Sequence, residues 1–343
     1  MGRRVLVTGL GSFWGGRVAK ALEADPTVDI IVGLDTREPQ VELERTEYVR
    51  SDENYSILSR IVSATQVDTI VHTFLVVDST SMSPRSMHEI NVIGTMNLFA
   101  AATDSSVRNV VVKSSSYVYG CHPRDPVWFT EETPRQVPPR HRVERSLSEV
   151  ESYVHDFAVD NPHVAVSMLR FSNVLGTEIE TPLSKMLEAP VVPSIFGFDP
   201  RFQFVHEDDV IRAVLHVLDE NLAGVFNVAG DGLLPWSEVA AICGKRTVPL
   251  PPVAQGLMAA GLRRLGIDIP PEVVDLLSYG RGIDNGRLKR AGFEYTHTSA
   301  GTVRAFIEAL RLRRTVGEEQ GYRYESEVED FFKRSPSIVR DAE

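Results

Sequence analysis

The chain has 343 residues, 43% hydrophobic and 24% charged, with a formal net charge of −11. That is an ordinary globular composition, long enough for a large core and a smaller lobe, and it lacks a basic stripe for nucleic acid or an anionic membrane. No apolar run approaches the roughly 18 residues of a membrane span, and the two cysteines, Cys121 and Cys243, lack the neighbours of a disulfide framework or a metal site.

The first element is the apolar run Val5-Leu-Val-Thr8, read as a strand over 4–8. The turn Gly9-Leu-Gly11-Ser12-Phe13-Trp14-Gly15-Gly16 follows at once and opens an amphipathic helix over 14–24. Strand, glycine turn and helix in this order form a dinucleotide cradle. Small residues admit a pyrophosphate to the backbone, and the new helix aims free N–H groups at it. Gly9, Gly11, Ser12, Phe13, Trp14 and Gly15 are the candidate cradle residues, with Phe13 and Trp14 packing at the helix start. A second apolar strand, 29–35, ends in Asp35. An acid there accepts hydrogen bonds from a ribose and repels a 2′-phosphate, which favours NAD over NADP.

Further strands read at 68–74, 108–114 and 164–170, and helices at 54–64, 84–103 and 142–160. Apolar strands alternating with amphipathic helices imply a parallel sheet covered on both faces, a doubly wound α/β (Rossmann) fold. After residue 171 the pattern loosens around Pro182, Pro190, Pro193 and Pro200. A helix then reads from Asp208 to Leu218, a strand over 225–228, and short helices over 235–310. From 314 the periodicity fades into a peripheral tail. The expected division is a nucleotide-binding domain over 1–175 with contributions from 203–230, a small interwoven substrate lobe over 176–310, and a tail over 311–343. A first strand at residue 3 or 4 leaves no room for a signal peptide, so the expected location is a reducing cytoplasm.

Several segments resemble one family in order along the chain. Asn91-Val-Ile-Gly94-Thr95-Met-Asn97-Leu is similar to the "NVxGTxNL" helix of extended short-chain dehydrogenases/reductases. Val112-Lys-Ser114-Ser115-Ser116-Tyr117-Val118-Tyr119-Gly120 resembles their "SSxxVYG" strand end. Leu169-Arg170-Phe-Ser-Asn173-Val-Leu-Gly176 resembles "LRxxNVxG", and Phe204-Val-His206-Glu-Asp208-Asp209-Val resembles "FIHVDDV". Together they resemble the NAD-dependent epimerases and dehydratases of nucleotide sugars, with a likeness to the UDP-glucose 4-epimerase-like subgroup. The resemblance implies bound NAD, a nucleotide sugar or related alcohol/ketone as substrate, and a homodimer built through paired helices. By position it implies Asp35 at the adenosine ribose, Asp52 and Glu53 near the adenine, and Asn91 near the cofactor. It also implies Ser115 as the catalytic hydroxyl, with Ser116, Asn173 and His206 toward the substrate.

Two departures stand out. The family turn reads TGxxGxxG, but here the middle glycine is Ser12 and Gly11 sits one residue early. Ser12 either crowds the pyrophosphate or is relieved by Gly11. The second departure is chemical. The family's proton carrier is a tyrosine with a lysine four residues later, and none of Tyr48, Tyr55, Tyr117, Tyr119, Tyr153, Tyr279, Tyr295, Tyr322 and Tyr324 has one. Taking Glu149 as the acid four residues past the family lysine puts His141 and Arg145 in the two slots. His141 is then a candidate base, and Tyr117 a displaced acid. The competing reading of Arg140-His141-Arg142 and Arg145 is a solvated helix start. An enzyme with a weakened site and a silent dinucleotide-binding regulator both fit this sequence.

Overall fold

The computed structural model describes residues 2–103, 105–251 and 269–316. Seven strands form one parallel sheet: β1 (Arg3–Thr8), β2 (Val28–Asp35), β3 (Thr46–Arg50), β4 (Thr69–His72), β5 (Asn109–Ser115), β6 (Ala165–Phe171) and β7 (Gly224–Val228). Their order is β3-β2-β1-β4-β5-β6-β7. The winding reverses between β1 and β4. In an open α/β sheet that switch point leaves a crevice outside the carboxyl ends of the strands.

Strands buried on both faces alternate their side chains between two cores. In β5, Val111 joins Val5, Val7 and Val18 under α1 (Phe13–Glu23). Val110 and Val112 point the other way, to Leu6, Leu58 and Leu98. That second face is covered by α2 (Tyr55–Thr65), α4 (Thr95–Ala102) and α5 (Arg142–Asp160), and a short α3 (Pro84–His88) precedes α4. The helix expected over 84–103 is interrupted by a π turn, Glu89–Gly94. β3 was not anticipated from the sequence. Its run Thr-Glu-Tyr-Val-Arg is a charged, half-exposed edge strand without a strong apolar signal.

A separate apolar cluster gathers Leu187, Phe202, Trp236, Leu276 and Phe306. These come largely from α6 (Pro182–Glu188), the later helices α8 (Trp236–Ile242) and α9 (Pro271–Tyr279), and a C-terminal helix, Ser299–Val316. Between them the chain returns to the sheet. Phe204–His206 pairs in parallel with Asn173–Leu175, then α7 (Glu207–Asp219) packs beside α1, and β7 follows. Most of the tail expected over 311–343, and part of the short-helix region, lie outside the described residues. Among the described residues no helix is long and apolar enough to cross a membrane.

Candidate active site

β1 hands over to α1 through a turn that tolerates few side chains. Gly9 has φ +75°, and a Cβ on Gly15 would stand 2.3 Å from the Gly9 carbonyl oxygen. Ser12 is the N-cap of α1. Its hydroxyl donates to the Gly9 carbonyl at 2.6 Å and accepts from the Gly15 amide at 3.2 Å. Its backbone is extended, so the position needs no glycine, and the hydroxyl is turned back into the turn. A Cβ on Gly11 would meet the Arg37 carbonyl at 2.7 Å, so Gly11 serves the packing of the turn against the loop after β2. The amides of Phe13 and Trp14, the first two of α1, have no acceptor within the helix.

Asp35 is buried behind this turn. Its carboxylate accepts from the Gly11 amide at 2.9 Å and the Arg37 amide at 3.0 Å. It braces the cradle from within, and Arg37, two residues on, lines the rim.

In front of the turn lies a cavity of about 500 Å³ at the carboxyl ends of the strands. Gly11 to Trp14 form one wall, Leu75 to Asp78 another, and Phe171 to Val174 with Glu178 to Leu183 a third. Lys113, Ser115 and Tyr117 enter from β5 and its end, and Glu272 enters from α9. Lys113 and Ser115, two residues apart on a strand, share one face. The Lys113 ammonium donates to the Leu75 carbonyl at 2.6 Å and sits 4.7 Å over the Trp14 ring. Burial pushes it down to about 7. Ser115 accepts weakly from the Tyr117 amide at 3.3 Å. Burial pushes the Tyr117 hydroxyl above the ordinary phenol value, opposed by Arg281 over its ring at 4.8 Å. Asn173 lines the cavity and spends its amide on the Gln203 carbonyl at 2.9 Å. Burial also raises the Glu272 carboxyl, with the Ser79 hydroxyl beside it.

Other sequence candidates stand elsewhere. Asn91 is buried in the π turn, bonded to the Val76 amide and carbonyl at 2.8 Å each and to Ser146 at 3.1 Å. It holds the Leu75 to Asp78 wall in place without lining the cavity. Asp52 is exposed on the surface. Glu53 turns inward beneath β1, 3.5 Å from His72 Nδ1, where burial raises its carboxyl to about 8. His72 is held neutral by burial, down to about 3. Thr95 donates to the Asn91 carbonyl at 2.5 Å, so it accepts from His72 Nε2 at 2.9 Å, and His72 Nδ1 accepts from Thr8 at 2.7 Å. This chain of bonds ties the strand ends under the cradle together. Ser116 is buried away from the cavity. His206 caps α7 and stacks on His297 at 4.2 Å, beside a different groove.

The start of α5 differs most from the sequence expectation. His141 Nε2 pairs with Asp275 at 2.8 Å, which raises its pKa, and it does not line the cavity. Arg145 is exposed, in a shallow groove with Pro84, His88 and Glu149. The acid of α5 that reaches the sheet is Glu151. It accepts from Ser114 at 2.5 Å and pairs with Arg170 through contacts down to 2.6 Å. Four and eight residues before Glu151 stand Leu147 and Val143, both fully buried and apolar. Sequence reasoning missed Lys113 and Glu272. The available signal for Lys113 was a lysine in an otherwise apolar strand, two residues before Ser115.

The sequence model of the NAD dependent epimerase/dehydratase family matches residues 5–229. An uncharacterized protein of Mycobacterium tuberculosis (strain ATCC 25618 / H37Rv) is 35% identical over 323 residues, covering 90% of this chain and 84% of its own. UDP-glucose 4-epimerase 3 of Oryza sativa subsp. japonica is 25% identical over 190 residues, covering 51% of this chain and 50% of its own. Among solved structures, MoeE5 in complex with UDP-glucuronic acid and NAD superposes with a TM-score of 0.70 at 21% identity, covering 90% of this chain and 99% of its own. DesIV, a dTDP-glucose 4,6-dehydratase from Streptomyces venezuelae with NAD bound, gives 0.69 at 24% identity, covering 92% and 99%. The matched span takes in the glycine turn, the cavity strands and β7, and this chain belongs to the NAD dependent epimerase/dehydratase family.

Proposed function

We propose that this chain binds NAD across the α1 turn and oxidises and re-reduces an alcohol carbon of a nucleotide sugar or a related alcohol or ketone. The observation that carries the reading is the cavity of about 500 Å³ at the sheet's switch point, with the free amides of Phe13 and Trp14 on one wall and Ser115 on another. The residues fit the cofactor. The α1 amides would hold the pyrophosphate, and the charge of Asp35 at the end of β2 favours NAD over its 2′-phosphorylated form. When bound, NAD would supply a hydride acceptor that later gives the hydride back. Ser115 would donate to the substrate oxygen and polarise it. Asn91 would keep the opposite wall in place, and Phe171 and Trp14 would keep water from the reacting carbon.

A second reading, a silent dinucleotide-binding regulator, is favoured by the sequence having no tyrosine followed by a lysine four residues later. One experiment separates the two. The native chain is titrated calorimetrically with NAD and NADP. Reduced nicotinamide is then followed by absorbance after adding UDP-glucose, UDP-glucuronic acid or dTDP-glucose. Binding with reduction supports the enzyme. Binding with no reduction by any of the three supports the regulator, and absence of binding removes both.

A further inference from the structure

We propose that Lys113 is the catalytic residue that takes the hydroxyl proton from an alcohol bound in the cavity and returns it on reduction, in place of the pair that α5 lacks. The proposal rests on the enzyme reading above.

The geometry argues for a base. A neutral amine has two N–H bonds and one lone pair. At Lys113 two directions already have acceptors: the Leu75 carbonyl at 2.6 Å and the face of Trp14 at 4.7 Å. The remaining direction of the nitrogen is left for the lone pair, and Lys113, Leu75 and Trp14 all line the same cavity. Among the described residues Lys113 makes no ion pair, so no carboxylate holds a proton on it. His72, on the neighbouring strand, is neutral, and what charge it feels from Lys113 only disfavours a second cation. Burial alone brings the amine to about 7, where it can both accept and release a proton.

The alternatives are placed less well. Tyr117 carries Arg281 over its ring, and burial holds its proton on. His141 is bound to Asp275 outside the cavity. Glu272 comes from α9, whereas Lys113 lies on the same strand face as Ser115, whose hydroxyl would mark the substrate oxygen. The step balances. The substrate O–H bond breaks and an N–H bond forms on Lys113. The C–H electron pair leaves with its hydrogen as hydride to NAD⁺, and a C=O bond remains. Reduction reverses each change.

The test follows the amine itself. The full chain has six lysines. Labelled with ¹³C at lysine Cε, its Lys113 resonance is the one absent from Lys113→Met. The expected titration midpoint lies about three pH units below those of the exposed lysines. It should move when UDP-glucose, UDP-glucuronic acid or dTDP-glucose is added to the NAD⁺-loaded chain. A midpoint at the ordinary lysine value overturns the proposal, and so does a midpoint that none of the three sugars moves. For any of these sugars that is turned over, Lys113→Met and Lys113→Arg should each cut hydride transfer by about 10²–10⁴-fold. A rate within about twofold of native in Lys113→Met overturns the proposal. Failure of the parent reading looks different: the native chain then binds no NAD, or binds NAD that none of the three sugars reduces, whatever the Lys113 midpoint.

Discussion

Replacing Lys113 by methionine should stabilise the protein in mild acid and destabilise it in base. The buried amine is depressed from its ordinary value near 10.5 to about 7. Below about 7 both folded and unfolded chains carry the proton, and folding bears the full cost of burying the charge. At about 1.4 kcal/mol for each tenfold change in proton affinity, that cost is on the order of 5 kcal/mol at most. Between about 7 and 10.5 the unfolded chain keeps a proton that the folded chain has given up, so native stability rises with pH through that window. Methionine has a similar length and no charge, but it leaves the Leu75 carbonyl unpaired, at a cost of about 1–3 kcal/mol. The difference is a net gain of roughly 2–4 kcal/mol at pH 6, turning into a loss of up to roughly 2 kcal/mol by pH 10. Urea unfolding of both proteins at the two pH values measures it. A stability difference that stays constant from pH 6 to pH 10 would refute the reasoning, because it would mean that Lys113 is not protonated differently in the two states.

Glu53→Gln should leave stability nearly unchanged at pH 4.5 and raise it by up to about 3 kcal/mol near pH 7, because the folded carboxyl, raised to about 8, holds a proton that the unfolded one has lost. Unfolding curves at the two pH values check this. Asp35→Ala should unpair the Gly11 and Arg37 amides, cost about 2–3 kcal/mol, and weaken cofactor binding together with the loss of NAD preference. Calorimetry against thermal unfolding separates the two effects. His141→Ala should leave cofactor affinity as it was and remove a contribution of about 1 kcal/mol. That contribution is present in mild acid, below the unfolded histidine value, and fades as pH rises through the raised folded one.

Much of the sheet could be read directly. β1, β2, β5 and β6 are uninterrupted apolar runs, and α1, α5 and α7 carry clear periodicity. β3 escaped because an edge strand needs only one covered side and here mixes Glu47 and Arg50 with Tyr48 and Val49. The π turn escaped because it depends on where the Asn91 amide must point, which no periodicity encodes. At the site, the glycine turn and Ser115 were legible as local motifs. Burial decided the rest. Asp35 braces the cradle through the Gly11 and Arg37 amides, and Glu53 turns inward beneath β1, neither of which the sequence alone could show. In α5, Glu149 and Glu151 look alike in sequence, and only the contacts of Glu151 with Ser114 and Arg170 tell them apart.

The most direct measurement is calorimetric titration of the native chain with NAD, set beside the variant Gly15→Val. A side chain at position 15 must enter the space of the Gly9 carbonyl, 2.3 Å from where its Cβ would lie, and so breaks the cradle without touching Lys113 or Ser115. The account predicts one NAD per chain for the native protein and none for a folded Gly15→Val. Native protein that binds no NAD, or a folded Gly15→Val that binds it as well as native, would contradict the cofactor site proposed at the start of α1.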